Sequence, residues 1–466
     1  MRPTATLGLL GGMFLSAGCT DGEPVTDTTD EVDSGETGAS DPLEGLDGMD
    51  VIVVHADTLR RDHLPTYGYE RVTTPNLLQQ PAVVIDGYQA SSSWTLPSTA
   101  TALLSLSPEH HGAVTVPEPE VDRERTTLAT RLSEAGYATG LFSGNHMVAT
   151  DPVMTVGFDE VLDEGELETV ADETLHSLAA RAVPWVESLP EGQPYLLWLQ
   201  PMDTHPPYRP QAPFRGTWAD YDTLVIDPES TPEQQSDQFI QAWTAASSDE
   251  EREAMADNVR AVYDELILQE DAALGGLFAW LSYSGRAERT LVVVTADHGE
   301  TLADDLTPSI SHGITLRPEL IQLPLIFVHS RFSGEHLDCP SANMDLGPTL
   351  LDALGLPVPA DLDGAPIQVG CRDVTGASLY GMDDADVTLT YLSASDERYK
   401  LDWDCQATAA YIYDLEEDPS ALSPLGAEAM PDVLALTASV EATLHEAREL
   451  DPDTLCDVYG GASNAP

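Results

Sequence analysis

Apolar runs and helical stretches alternate along the chain between residues 50 and 330. A strand buried on both faces shows a nearly continuous apolar run, whereas an amphipathic helix repeats its apolar residues every three or four positions. Five segments predict buried strands: 49–57, 137–145, 195–203, 289–300 and 323–329. Segments 126–136 and 258–285 predict helices between them. The alternation predicts an α/β fold with a mostly parallel sheet sandwiched by helices.

The pattern changes after about residue 375, where short segments replace the long runs. "DVTLTYLS", "RYKLDWD" and "AAYIYDL" alternate apolar and polar residues and predict a small antiparallel sheet, followed by a helix over 427–449. We therefore predict a main domain over 49–370 and a small C-terminal antiparallel α+β subdomain over 371–466. The acidic stretch 217–257, rich in Ser, Thr and Gln, predicts a surface insertion.

The N-terminus has the order of an export signal. Arg2 precedes an apolar run over about 5–15, and small residues then lead to Cys19. Small residues before a cysteine are typical of a bacterial lipoprotein cleavage site, although Ser16 stands where leucine is usual. We predict a lipoprotein-type signal peptide over 1–19 and an exported protein of the cell envelope, with plain secretion or a short membrane anchor as the alternatives.

Acidic residues dominate the charge of the chain. Residues 20–48 contain mainly Asp, Glu, Thr, Ser and Gly and predict an acidic disordered tether. The whole chain has 80 acidic against 20 basic residues, a net charge of −60, and Lys400 is its single lysine. This balance argues against a nucleic-acid partner, because a phosphate backbone would be repelled. A solvated surface explains the acidity, with a calcium-binding surface as the alternative.

Four cysteines follow Cys19, and all of them lie in the last third of the chain. They are Cys339, Cys371, Cys405 and Cys456. An even number in an exported protein predicts two disulfides. Sequence order favours Cys339–Cys371 and Cys405–Cys456 among three possible connectivities, and the lack of C-x-x-C spacing argues against a metal site here.

Polar side chains stand where the predicted strands end, which is where ligands bind in open α/β sheets. They are Asp57, Asn145, Asp203, His205, Asp297 and His298. One such residue is usually a turn or cap, but several at successive strand ends indicate a site. The sequence Asp297-His298-Gly299-Glu300 is the strongest signal, because a carboxylate and an imidazole together can hold a divalent ion.

Thr95 raises a separate question. In "SSSWTLPSTATALLSL" (91–106) it precedes Leu-Pro-Ser and a run of small and apolar residues typical of a helix. Such a threonine predicts an N-cap. A threonine at a helix N-terminus could equally be a nucleophile, since the helix dipole and free amides there favour an anion.

From about residue 49 to 420 the chain resembles the sulfatase branch of the alkaline-phosphatase superfamily. The resemblance is carried by "DTLRRDHLPTYGYERVTTPNL" (57–77), "TLPSTATALLSLSPEHHG" (95–112), "GYATGLFSGN" (136–145) with "GFDEV" (157–161), "MDTHPPY" (202–208), "TADHGE" (295–300), "SHGITLRPELIQLPLIF" (311–327), "MDLGPTLLDALGLPVPADLDG" (344–364) and "YDLEEDP" (413–419). It implies a sulfatase-like hydrolase, one divalent metal ion (calcium, manganese, zinc or magnesium), and a small-molecule or glycan ester as substrate.

The resemblance also implies roles for particular residues. The implied metal ligands are Asp57, Thr95, Asp297 and His298, and the implied substrate-binding residues are Asn145, His205 and His312. Thr95 falls at the nucleophile position. His205 and His312 match positions that contact the transferred group or protonate the leaving oxygen, which makes both of them candidate catalytic residues.

Several positions depart from the pattern of true sulfatases. These have Cys or Ser at the Thr95 position, which is converted to formylglycine, and an arginine at the position of Thr99. Oxidation of threonine would give a ketone instead of that aldehyde. Asp57 is followed by Thr58 instead of a second aspartate, and Gln200 stands where relatives often have a histidine.

These departures favour a metal-activated Thr95 alkoxide that cleaves phosphate mono- or diesters. Two-metal members of the superfamily have an Asp-x-x-x-His spacing, and "MDTH" (202–205) has the wrong interval for it, which favours one metal ion. The alternatives are a sulfuric ester hydrolase, a transferase that moves a phospho-alcohol group onto a surface glycan, and a catalytically inactive surface binding protein.

Overall fold

The structure is a computed structural model. It describes residues 42–115, 126–162, 167, 169–304, 307–372, 375–383, 386–395, 398–404, 409–419, 421 and 424–425. Asp41–Pro466 is one compact unit. The predicted signal peptide, Cys405, Cys456 and the helix predicted over 427–449 lie outside the described residues, and the division at residue 370 stays a prediction.

An eight-stranded sheet forms the centre of the molecule. The strands among the described residues are β1 (Asp50–Ala56), β2 (Ala82–Ile85), β3 (Tyr88–Gln89), β4 (Ala138–Ser143), β5 (Glu160–Val161), β6 (Tyr195–Gln200), β7 (Thr290–Ala296), β8 (Leu325–Val328), β9 (Glu335–Leu337), β10 (Ser341–Ala342), β11 (Thr375–Asp383), β12 (Asp386–Ser395), β13 (Tyr399–Asp404) and β14 (Ala409–Asp414). The central order is β5-β4-β6-β1-β7-β8-β2-β9. Only β8 runs antiparallel to its neighbours, β7 and β2, so the predicted mostly parallel sheet is confirmed.

Helices cover both faces of this sheet. Those described are α1 (Thr95–Leu104), α2 (Pro108–His111), α3 (Leu128–Glu134), α4 (His146–Thr150), α5 (Leu175–Ser188), α6 (Pro232–Ala245), α7 (Asp249–Tyr283), α8 (Pro318–Ile321) and α9 (Leu346–Ala353). Successive strand residues point to opposite faces. Val51 and Val53 therefore pack in the cluster that contains α1, α3 and α9, whereas Ile52 and Val54 pack in the cluster that contains α5 and the end of α7. No helix within the described ranges is long and apolar enough to cross a membrane.

A four-stranded antiparallel sheet, β11-β12-β13-β14, follows the main sheet, as the alternating segments predict. It contacts the chain just before α1: the Ser378 amide donates to the Ser91 carbonyl at 2.9 Å, and Gln89 Nε2 donates to Ser395 Oγ at 3.0 Å. A disulfide joins Cys339 and Cys371, which confirms the first predicted pairing.

Two segments differ from the predictions. Leu43 and Leu46 are buried in the main core, so the folded chain begins before residue 49 and the predicted tether is too long. The tether was predicted too long because the segment is mostly polar, and its two leucines are enough to anchor the segment in the core. The stretch 217–257 contains α6 and the start of α7, because Phe239 and Trp243 pack into the same core while the acidic residues face solvent.

Two glutamates on α7 are buried in contrasting surroundings. Glu265 accepts hydrogen bonds from the amides of Gly216, Trp218 and Ala219 and from the Tyr221 hydroxyl, at 2.7 to 3.0 Å. Glu270 is 2% exposed, and neither of its carboxyl oxygens has a hydrogen-bond partner among the described residues. Burial, together with the nearby charges of Asp203 and Asp271, raises the pKa of Glu270 well above its ordinary value. The carboxyl group therefore keeps its proton to a higher pH than a free glutamate does.

We expect Glu270→Gln to make the protein more resistant to alkaline unfolding. A raised pKa means that the folded chain keeps a proton that the unfolded chain releases, so the stability contributed by this group falls as pH rises above the unfolded value. The glutamine amide does not ionise, so the variant avoids that loss. Its gain in the free energy of unfolding over the parent protein should grow as pH rises, by up to about 1.4 kcal/mol per pH unit. Thermal unfolding between pH 5 and pH 9 measures it.

Glu265→Gln is the matched control on the same helix. Its amide nitrogen would face hydrogen-bond donors, so we expect a lower Tm at every pH in that range. If Glu270→Gln left the pH dependence of Tm unchanged, the assignment of a raised pKa to Glu270 would be wrong.

Candidate active site

The ends of β1 and β7 bring three potential metal ligands together. The two strands pair in parallel, with Ala56 opposite Ala296, so the residues that follow them meet at one edge of the sheet. Asp57, Asp297 and His298 each offer one ligand atom, and these atoms lie within 4.8 Å of one another. All three side chains are fully buried.

The orientation of His298 is set by its backbone neighbour. Its Nδ1 lies 2.8 Å from the Gly299 carbonyl oxygen, which can only accept, so Nδ1 carries the proton. Nε2 then presents a lone pair 3.7 Å from Asp57 Oδ1 and 3.6 Å from Asp297 Oδ2. Burial, aided by His312, lowers the pKa of His298 to about 3. The ring is therefore neutral, as a metal ligand must be.

The two carboxylates have different surroundings. Asp297 Oδ1 accepts from the amides of His298 at 2.7 Å and Thr58 at 3.2 Å, and burial and the charge of Asp57 raise the pKa of Asp297 well above its ordinary value. Burial opposes ionisation of Asp57 as well, but the three nearby histidines and the Asn145 hydrogen bond lower the pKa of Asp57 overall. Asp57 Oδ1 is buried and has no hydrogen-bond partner within the part of the chain that the structure describes.

This donor set fits a divalent ion. Two buried carboxylates repel each other, and an unpaired carboxylate oxygen in a protein interior is costly unless a cation compensates it. Carboxylate oxygens with one imidazole nitrogen suit manganese, zinc, magnesium or calcium. Asp57, Asp297 and His298 are the residues that would hold such an ion.

Thr95 lies beside the same cluster as the first residue of α1. Its Oγ1 is 3.3 Å from His298 Nε2 and 3.4 Å from Asp57 Oδ2, and the residue is 5% exposed. The N-cap prediction is wrong. Trp94, in an extended conformation, occupies the N-cap position, and no side chain caps the helix. The Thr95 hydroxyl is consequently directed at the ligands and does not bond the helix amides.

Asn145 combines two contacts. It is the N-cap of α4, where its Oδ1 accepts from the Met147 amide at 2.9 Å, and its Nδ2 donates to Asp57 Oδ2 at 2.7 Å. The same Nδ2 is 3.5 Å from Thr95 Oγ1. The predicted substrate-binding residue thus lies at the site, and its amide is directed at a metal-ligand candidate.

His205 and His312 stand at the open side of the cluster. The His312 ring centroid is 4.6 Å from that of His298 and 5.1 Å from that of His205. His205 Nδ1 lies 2.6 Å from the Pro206 carbonyl oxygen, so it is the donor and Nε2 is left for other contacts. His312 Nδ1 lies 3.3 Å from Glu300 Oε2.

Glu300 lies beside His312 at the site, and its sequence position alone predicted no role for it. Burial alone would lower the pKa of His312, but the charge and hydrogen bond of Glu300 raise it above its ordinary value. The pairing depends on the loop between them, in which the Thr301 amide donates to the Ser311 carbonyl at 3.0 Å. The signal in the sequence was the place of Glu300 two residues after His298.

Two other positions are placed by the fold. Gln200 Nε2 lies 3.4 Å from Thr99 Oγ1 and 3.5 Å from Asp297 Oδ2, so the two departures from the sulfatase pattern are neighbours beneath the cluster. Asp203, a strand-end carboxylate like the others, lies outside the cluster. Its oxygens accept from the Leu175 amide and from Gln269 Nε2.

Comparison with known proteins assigns the family. The family model described as "Sulfatase" matches residues 49–356, more than half of the 466-residue chain. The chain belongs to the sulfatase family. Among curated relatives, this sulfatase-family chain is 28% identical over 193 residues to a multifunctional alkaline phosphatase superfamily protein of Trinickia caryophylli, covering 37% of each protein. It is 28% identical over 203 residues to arylsulfatase K of Bos taurus, covering 40% of this chain and 36% of the relative.

Solved structures share the fold over most of the chain. A protein solved in complex with its substrate D-glucosamine-2-N,6-O-disulfate superposes with a TM-score of 0.69 at 18% identity, covering 87% of this chain and 99% of that one. The phosphonate monoester hydrolase of Agrobacterium radiobacter superposes with a TM-score of 0.65 at 21% identity, covering 86% and 96%. The sequence alignments span little more than a third of the curated relatives, so their activities do not transfer directly to this sulfatase-family member.

We expect Asp57→Asn to weaken binding of a divalent ion by at least about 100-fold, more than the loss of an outer-shell partner usually causes. The substitution removes a charge from the ligand set and keeps the shape. Isothermal titration with calcium, magnesium, manganese and zinc measures the affinity. Asp203→Asn is the control, because it alters a buried strand-end carboxylate outside the cluster. Equal losses in both variants would contradict the assignment of the ligands.

Proposed function

We propose that this chain is a metal-dependent hydrolase that cleaves phosphate mono- or diesters through Thr95. One observation carries the proposal: the Thr95 hydroxyl lies 3.3 Å from His298 Nε2 and 3.4 Å from Asp57 Oδ2, where the potential metal ligands meet. A hydroxyl in this place is available to attack an ester bound at the same edge of the sheet.

Different residues of the site contribute to different steps of the proposed reaction. A divalent ion held by Asp57, Asp297 and His298 would lower the pKa of the Thr95 hydroxyl and stabilise negative charge on the transferred group. The Thr95 hydroxyl passes its proton to Asp57 Oδ2, the acceptor 3.4 Å away, and Oγ1 forms a bond to phosphorus as the bond to the leaving oxygen breaks. Water then hydrolyses the Thr95 phosphoester, which restores the hydroxyl and releases the phosphoryl group as phosphate or, from a diester, as a phosphate monoester. The N-terminus of α1 adds its positive dipole end beside the anion.

Protonation of the leaving oxygen falls to His312, assisted by His205. The Glu300 carboxylate raises the pKa of His312, which keeps its ring protonated to a higher pH than a free histidine. A protonated imidazole can give its Nε2 hydrogen to the departing alkoxide. The fixed Nδ1 contact of His205 leaves its Nε2 facing the same region.

The residue at the nucleophile position, Thr95, favours a phosphate ester over a sulfate ester as the substrate. Threonine is a secondary alcohol, and its oxidation gives a ketone without the aldehyde hydrogen of formylglycine. A sulfate ester remains the second candidate, because relatives of this chain are named arylsulfatase K. The buried set of Asp57, Asp297 and His298 weighs against an inactive binding protein, since a decayed site has no need to keep its ligands together.

Substrate turnover by the purified protein tests the proposal. We expect hydrolysis of aryl phosphate or bis-aryl phosphate that depends on an added divalent ion, and a loss of at least about 1,000-fold in kcat in Thr95→Ala. Thr95→Ser keeps the hydroxyl and should retain measurable activity. Hydrolysis of aryl sulfate that survives Thr95→Ala would overturn the mechanism. The lack of turnover with any of the three esters would favour a binding protein.

We expect the effect of His312→Ala to depend on the leaving group. A general acid matters most for a poor leaving group, so the loss in kcat/KM should be about 100-fold or more for an alkyl ester and much smaller for a nitrophenyl ester. Steady-state kinetics on a series of esters with increasing leaving-group pKa measures this. The same loss across the whole series would exclude His312 as the acid.

The proposal also includes a cellular location and a substrate class. The predicted signal peptide and Cys19 support export to the cell envelope with a lipid anchor. A small molecule or a glycan ester is the proposed substrate class, and a structural neighbour was solved with a sulfated glucosamine as its substrate.

A further inference from the structure

We propose that Ser98 and Asn343 are positioning residues that fix the nucleophile helix against the turn carrying Asp297 and His298. This inference rests on the proposed function, because it gives both residues a role in the same site. Neither side chain touches the potential ligand atoms. Both act through the backbone, and both are fully buried.

Ser98 lies three residues after Thr95, in the first turn of α1. Its hydroxyl donates a short hydrogen bond to the backbone carbonyl of Asp297. The nucleophile helix and the end of β7 are therefore tied together by one side chain within a few residues of both Thr95 and His298. A shift of that helix along its axis would break the bond and change the distance between Thr95 Oγ1 and the ligands.

Asn343 completes the connection from the other side. Its Nδ2 donates to the Ser98 carbonyl oxygen and to Ser98 Oγ, both at 2.9 Å. Its Oδ1 accepts from the Ser91 amide at 3.1 Å and from the Ser91 hydroxyl at 2.6 Å. An amide N–H can only donate and a carbonyl can only accept, so these partners define the orientation of the Asn343 amide.

The network therefore links four parts of the chain. Ser91 belongs to the segment before α1, Ser98 to α1, Asp297 to the end of β7, and Asn343 to the turn before α9. The Ser91 carbonyl in turn accepts from the Ser378 amide in the C-terminal sheet at 2.9 Å. A buried network in which every side-chain atom is paired holds its members in one arrangement.

The position of Thr95 matters because the reaction rate depends on the distance between the reacting groups. A displacement of about 1 Å between reacting groups can cost about 100-fold in rate. Thr95 itself has only long contacts, of 3.3 to 3.5 Å, to Asp57, Asn145 and His298. Its place is thus determined by the helix that carries it, and that helix is held by Ser98 and Asn343.

Three variants of the full chain test the inference. Ser98→Ala removes the donor to the Asp297 carbonyl. Asn343→Asp keeps the shape and the acceptor for Ser91 but sets a carboxylate oxygen against the Ser98 carbonyl. Thr101→Val is the matched control, because Thr101 is a buried hydroxyl one turn further along α1 that contacts Pro97 O at 2.8 Å and His111 Nε2 at 3.0 Å, away from the ligands.

We expect Ser98→Ala and Asn343→Asp to raise the Kd for manganese and to lower kcat at saturating metal, each by about 10- to 100-fold. The KM for the ester should change by less than about threefold, since substrate binding is not the interaction removed. The double variant should be no worse than the poorer single variant, because both act in one network. Thr101→Val should lower Tm while the Kd and kcat stay at the parent values.

The outcomes separate this inference from the proposed function. If the parent protein binds metal and turns over substrate, but Ser98→Ala and Asn343→Asp lose only Tm, as Thr101→Val does, the positioning role is wrong and the function stands. If the parent binds metal without turnover, the function fails, and the Kd alone decides the positioning role. A parent protein that binds no divalent ion would overturn both.

Discussion

The repulsion between Asp57 and Asp297 is the constraint on which the rest of the site depends. Both carboxylates are fully buried at the ends of adjacent parallel strands, where the low dielectric strengthens the interaction of like charges. The surrounding groups compensate for it with amide donors, with Asn145 and with His205 and His312. This distribution of charge supports the proposal that the site holds a cation beside an anionic ester.

Neutral and charged histidines have distinct places in this arrangement. His298 is fully buried beside a carbonyl and has a lowered pKa, which suits a ligand, whereas Glu300 raises the pKa of His312, which suits a proton donor. The two ring centroids are 4.6 Å apart at an interplanar angle of 42°, so the assignment of the two roles depends on the partner of each Nδ1.

The scaffold positions these groups by two different means. Asp57, Asp297 and His298 are placed by strand pairing, which is rigid and regular. Thr95 is placed by a helix that must be docked by side chains, and the docking uses the buried serines and Asn343. The departures at Thr99 and Gln200 lie together beneath the ligands, so the space under the cluster is filled by two neutral polar side chains.

The amino-acid sequence by itself determined the fold class and the strand-end candidates Asp57, Asp297 and His298, because apolar runs define strands and strand ends in a parallel sheet share one edge. The place of Thr95 was indicated by the resemblance to the sulfatase family. The sequence did not reveal the contacts of Glu300, Ser98 and Asn343, which join residues 12 to 252 positions apart. It also grouped Asp203 with the other strand-end residues of the candidate site, and its local pattern alone favoured Thr95 as a cap. Only the tertiary structure decided these points, since local pattern encodes burial and backbone preference but not which distant side chain faces a given oxygen.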